Sequence, residues 1–305
     1  MEGICRLCRR HADLQESHII PAFVFRWRKD TAPTPFMRAS DEPNRRVQDG
    51  LTQYWLCRDC EQKLGFWERK FSNTIFRSVT ENGTCRVQYG EWLLKFCVSI
   101  SWRILLLAQE KDSLLNLSAE HQAAALNALY VWEIFLRGQA PHPGKFEQHL
   151  LVLDGVDSIR GVALPPNINR YSMRSIDIDI GSTDEVGFTF AKMGPVAVLG
   201  FYFLDRPRAW SGGKVHVKHG IIGPTTYILP PVFVDYLLGR ARKYGEIHDA
   251  LSDRQRQVAN MATTEGLMNK KDKVLASHWL KAMRRDIDMF GDRALDIGFP
   301  DKGVE

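Results

Sequence analysis

Residues 55–71 read "WLCRDCEQKLGFWERKF". Cys57 and Cys60 are separated by two residues. Immediately after them Leu64, Trp67 and Phe71 recur at helical spacing, so the second cysteine leads into an amphipathic helix. A two-residue spacer lets both sulfurs point into one tetrahedron. A matching pair, Cys5-x-x-Cys8, stands near the start of the chain. Between the pairs, Pro33, Pro35, Pro43 and Gly50 mark a long irregular loop.

Four thiols in two tight pairs predict a single zinc ion held by Cys5, Cys8, Cys57 and Cys60. The closed four-cysteine set leaves no open coordination position, so the zinc is expected to be structural. Of six cysteines, Cys85 and Cys97 fall outside the pattern, and Cys97 reads as a small core residue of an apolar helix. The first ten residues have no apolar leader core. The longest apolar run, "LLKFCVSISWRILLL", is interrupted by Lys95 and Arg103 and is too short to span a bilayer. A cytoplasmic protein without membrane contact is therefore expected. In that reducing compartment paired cysteines bind metal rather than each other.

A cysteine pair in a turn, followed by a second pair that opens a helix, has the form of a treble-clef finger. Between the pairs stands "ESHIIP", Glu16 to Pro21, and the set "CRLC … ESHIIP … WLCRDCE" resembles the treble-clef finger of HNH-type nucleases over about the first 70 residues. The resemblance implies that His18 is the general base. It also implies a metal ligand at the position of Ser17, an Asn near Thr52 and a His at Glu61. Serine is a poor ligand for a hard divalent ion, so this chain departs from one-metal DNA cleavage.

The departure points to RNA, which carries its own 2′-hydroxyl nucleophile. Cleavage then needs a base, an acid and cations, but no catalytic metal. His18 and Glu61 are the expected acid–base pair. Arg26, Arg28, Arg45 and Arg46 are the expected phosphate contacts, with Arg9 and Arg10 close by, and Phe25, Trp27 and Trp55 are candidates for base stacking. Two alternatives stand beside this. One is a metal-dependent HNH-type DNase that recruits Glu61 and a further acid such as Glu68. The other is a non-catalytic finger that binds nucleic acid or protein.

The bulk numbers agree with a folded protein of more than one unit. The chain has 305 residues and is 44% hydrophobic. Lys and Arg total 41 against 36 acids, and a net +5 permits a nucleic-acid partner without demanding one.

The expected architecture is α+β. Residues 1–78 form the finger. Residues 79–305 form a regulatory, sensing or oligomerising part with helices over 89–138, a mostly antiparallel set of strands over 149–229 and helices over 231–290. "SIDIDI" alternates strictly, and "PVAVLGFYFL" reads as a central strand. "KVHVK" alternates again, placing Lys214, His216 and Lys218 on one face, opposite Asp177 and Asp179 if the strands pair. Glu91, Lys95, Ser99 and Arg103 make one polar stripe on an otherwise apolar helix. This plan, a small nuclease finger joined to a larger sensor, resembles the ring-activated zinc-finger RNases of antiphage defence. It implies an activating phage protein as partner. The "RQRQ" and "KAMRRD" helix faces (254–257 and 281–286) are candidate homo-oligomer contacts.

Overall fold

A computed structural model describes residues 1–32, 36–38, 44–47, 49–83, 86–223, 226–269 and 277–296. Pro33, Pro35, Pro43 and Cys85 lie outside the described residues. The protein mixes helices with antiparallel sheets, carries its cysteine cluster near the N-terminus and ends in helices. Contacts divide it into two compact units. The first comprises Met1–Pro21, Leu51–Val152 and Ile176–Leu229; the second comprises Ala22–Gly50, Leu153–Ser175 and Pro230–Glu305.

In the first unit, strands Glu2–Ile4, His11–His18 and Thr52–Cys57 form a three-stranded antiparallel sheet with His11–His18 in the middle. The helix Arg58–Phe71 follows without a loop. It buries Leu64, Trp67 and Phe71, the residues whose spacing predicted it. Phe71 stacks on Phe96 with ring centres 4.0 Å apart, tying this helix to the core helix Trp92–Glu110. That core helix is long and apolar enough to cross a membrane, but 83% of its apolar window is buried inside the protein. It packs on the helix Ala119–Arg137, whose first turn is capped by Ser118 Oγ accepting from His121 N–H, and on a four-stranded sheet.

The sheet runs Gln148–Val152, Val196–Leu204, Val186–Met193, Ile176–Thr183, all antiparallel. "PVAVLGFYFL" is an inner strand, as its unbroken apolar run requires. "SIDIDI" is an edge strand, and Asp177 stands opposite Lys192, a fully buried lysine that also donates to the carbonyl of Gly194. The "KVHVK" expectation does not hold. Residues 214–218 make one isolated bridge, Lys214 to His149, and the strand comes later, at His219–Ile222, paired with Val87–Gly90. Val215 is buried while Val217 is exposed. Lys214 pairs with Glu147 instead of the Asp177–Asp179 strand.

The second unit is helical: Ala22–Asp30, Ile168–Arg174, Pro231–Asp249, Asp253–Asn269, His278–Phe290 and the short Arg293–Asp296, with a small hairpin of Met37–Arg38 and Arg46–Val47. Ile168, Tyr171, Leu238 and Ala241 form a buried cluster. Asp286, fully buried on His278–Phe290, accepts from the backbone N–H groups of Asn169 and Arg170 and from Arg170 Nε. It neutralises the positive end of the Ile168–Arg174 helix from a distant part of the chain.

Candidate metal centre

The two cysteine pairs meet. Ligand atoms of Cys5, Cys8, Cys57 and Cys60 all lie within 4.8 Å of one another. Tetrahedral thiolate bonds of about 2.3 Å set sulfurs about 3.8 Å apart, and Cys8 Sγ stands 3.7 Å from Cys57 Sγ. Backbone N–H groups of Cys8 and Cys57 both point at Cys5 Sγ, at 3.5 and 3.4 Å. Such donors stabilise a thiolate. The donor set therefore fits one metal ion.

Charge around the clamp is uneven. Burial on its own would raise the Cys8 thiol, but the Arg10 guanidinium and neighbouring backbone and thiol contacts bring it down to about 6. Cys5 and Cys60 are pushed up by burial. A bound cation would oppose that push on Cys5 and Cys60, because metals take the thiolate form. Arg9, just after Cys8, adopts a left-handed φ of 63° that favours glycine. Its guanidinium grips the buried Glu133 through both Nε and Nη2, and that ion pair offsets the backbone strain.

His18 ends the central strand, directly opposite Thr52. The partner strand runs from Thr52 to Cys57, so imidazole and clamp belong to one hydrogen-bonded hairpin. The half-buried His18 has its Nε2 shielded from solvent. Its backbone carbonyl accepts from Arg103 Nη1 at 2.7 Å, and Arg103 Nη2 pairs with Glu68 at 2.8 Å. The polar stripe thus splits. Ser99 and Arg103 are buried, while Lys95 approaches the Trp67 ring.

Glu61 lies in the first turn of Arg58–Phe71, where a carboxylate suits the helix dipole. It accepts from Ser17 Oγ at 2.6 Å, and Ser17 is buried. Successive strand residues point to opposite faces. Glu61 therefore sits on Ser17's side of the strand, and Glu16 shares the side of His18. Glu16 Oε1 accepts from Thr52 Oγ1 at 2.9 Å, and Tyr54 is its direct cross-strand neighbour. Sequence reasoning passed over Glu16, although its i, i+2 relation to His18 marks it as a neighbour on any strand.

The arginines expected to bind phosphate belong to the second unit. Arg26 is exposed and Arg28 half-buried on Ala22–Asp30; Arg45 and Arg46 are exposed, with Arg46 over the Phe36 ring. Trp27 lies under the Arg174 guanidinium at 4.7 Å and edge-on to His278. Phe25 and Trp55 are buried. Compared with known protein families, with curated proteins and with solved structures, the chain matches none.

Proposed function

We propose that the four thiols bind one structural Zn2+ and that the hairpin they anchor acts on RNA as a nuclease, with His18 as general base. The observation that supports this most directly is the hairpin itself. One strand carries Cys57, its partner ends at His18, and Arg103 fixes the His18 backbone from the core helix.

In this reading His18 takes the proton of a 2′-hydroxyl. The 2′-oxygen bonds to the adjacent phosphorus, the bond from phosphorus to the 5′-oxygen breaks, and that oxygen leaves with a proton from a carboxylic acid. Glu16, on the face of His18, is better placed for that donation than Glu61, which bonds to Ser17 on the opposite side of the strand. Because Nε2 is shielded, the ring must turn about its side-chain bonds as a strand binds, a motion fast on the scale of turnover. The zinc supplies no step; it holds the hairpin. The second unit, with its exposed Arg26, Arg45 and Arg46, and the sheet-bearing remainder of the first are the parts through which an activator, such as a phage protein in antiviral defence, would act.

The test is cleavage of RNA and DNA by the purified chain in enough chelator to strip loosely held Mg2+ or Mn2+. RNA cleavage that persists, and is lost in His18→Ala with folding and zinc content unchanged, is the expected result. Cleavage of DNA alone, and only with added Mg2+ or Mn2+, moves the assignment to an HNH-type DNase. Binding without cleavage by the parent chain leaves the non-catalytic finger.

A further inference from the structure

Two cavities adjoin the Cys5–Cys8 turn, and Arg6, between those cysteines, lines both. The first, about 300 Å³, is walled by Trp102, Leu126 and Tyr130, with Arg6, Arg9 and Gln109 at its polar side. The second, about 540 Å³, is bordered by Ile4, Gln53 and Tyr54. Both have the size of small-ligand sites, about 300–1,000 Å³.

Their chemistry is one-sided. The two nearby carboxylates are already taken: Glu110 by Arg6 and the indole of Trp55, and Glu133 by Arg9 and Arg137. What remains are donors. Each arginine has five N–H groups and uses only one or two on its acid. Trp102, 1% exposed, lines the first cavity. Tyr54 and Tyr130 present open ring faces, 46% and 63% exposed. A ligand that complements this set is planar, rich in acceptors and attached to an anion. A nucleobase on its phosphodiester backbone has those properties. Tyr54 lies two residues along its strand from Thr52, the partner of His18, a distance of about 7 Å.

We infer that these cavities are base-binding subsites for single-stranded RNA, Tyr54 stacking one base and the Trp102–Tyr130 cavity receiving another. The inference rests on the RNA reading above, but its test is binding, not turnover. A fluorescent, unstructured RNA 12-mer is titrated against the full-length His18→Ala chain by anisotropy, alone and with a second change. Tyr130→Ala removes a stacking wall. Leu126→Trp, at a half-exposed position, fills the cavity. Neither change removes buried packing, and circular dichroism and zinc content confirm the fold. Each should weaken binding about tenfold, with Tyr130→Phe close to the His18→Ala chain. Free AMP and UMP should compete only at concentrations far above the oligomer's. Binding unchanged within twofold in both variants overturns the inference, as does a mononucleotide that binds as tightly as the strand. If the parent chain cleaves RNA while binding ignores these changes, the nuclease reading stands and the subsites fall. If the parent does not cleave but Leu126→Trp weakens binding, the subsites stand and the nuclease reading falls.

Discussion

Arg103 reaches from the core helix to the backbone carbonyl of His18, 2.7 Å away, while its Nη2 pairs with Glu68 and its Nε donates to the Ser99 carbonyl. A buried cation thereby fixes the end of the hairpin strand. Arg103 is 2% exposed and Glu68 is largely covered. Removing one partner of such a pair leaves a charge without compensation, at a cost of about 3–5 kcal/mol.

Arg103→Met should therefore lower stability by about 3 kcal/mol, and Arg103→Met with Glu68→Gln should recover part of the loss. Urea unfolding of the parent, both single variants and the double variant gives the coupling. A double variant as unstable as the sum of the singles would show that the two side chains do not act as a pair.

Arg174 offers the contrast. It is equally buried, yet no described acid lies within ion-pair distance. It donates to Thr31 Oγ1 and to the Arg28 carbonyl at the end of Ala22–Asp30, and lies over Trp27. Burial and the nearby Arg28 charge push its pKa down. Arg174→Met gives back the desolvation cost and leaves no orphaned acid, so it should cost no more than about 1–2 kcal/mol. A loss equal to that of Arg103→Met would contradict this account.

The clamp predicts one zinc per chain by metal analysis, and none in Cys57→Ser. Losing several kcal/mol of metal binding from a unit this large should lower the thermal midpoint by about 10 °C or more. A parent chain that purifies metal-free, or a Cys57→Ser variant that keeps its ion, would remove the clamp.

Glu16 and Glu61 can be separated by kinetics. If the chain cleaves RNA, Glu16→Gln should lower kcat about 100-fold or more and remove one limb of its pH profile. Glu61→Gln should act mainly through Ser17, reducing stability by about 1 kcal/mol. The reverse ranking would return the acid role to Glu61.

Glu147 governs a pH response away from the hairpin. His149 hydrogen-bonds it, and although burial opposes this, Lys214 adds to the effect and the carboxyl is held below its ordinary value. A carboxyl with a lowered folded pKa contributes stability above its unfolded value of about 4.3 and loses it as pH falls through the folded one. Urea midpoints between pH 7 and 3 should thus fall less steeply in Glu147→Gln, and the two curves should converge in acid. Parallel curves would show that Glu147 has no part in the acid response.

Local patterns were legible in the sequence because their causes are local. The Cys-x-x-Cys spacing brings sulfurs together whatever surrounds them. The 3.6-residue period of Leu64, Trp67 and Phe71 selects a helix, and Ser118 caps the helix Ala119–Arg137 through its own neighbours. Strict alternation marked Ile176–Thr183 as a strand. "KVHVK" shows the limit: the same alternation gave only one bridge, Lys214 to His149, and the strand forms later, where His219–Ile222 meets Val87–Gly90.

What only the tertiary structure decided are relations between distant residues. No short-range pattern tells Glu61 to bind Ser17, Arg103 to take the carbonyl of His18, or Arg9 to clasp Glu133 124 positions away. Nor does any pattern assign Arg26 and Arg45 to a different unit from His18. Spacing and periodicity fix which elements form, because backbone hydrogen bonds and side-chain direction repeat over a few residues. Which charges are buried together follows from how those elements pack, where desolvation makes each unpaired group costly enough to choose its partner.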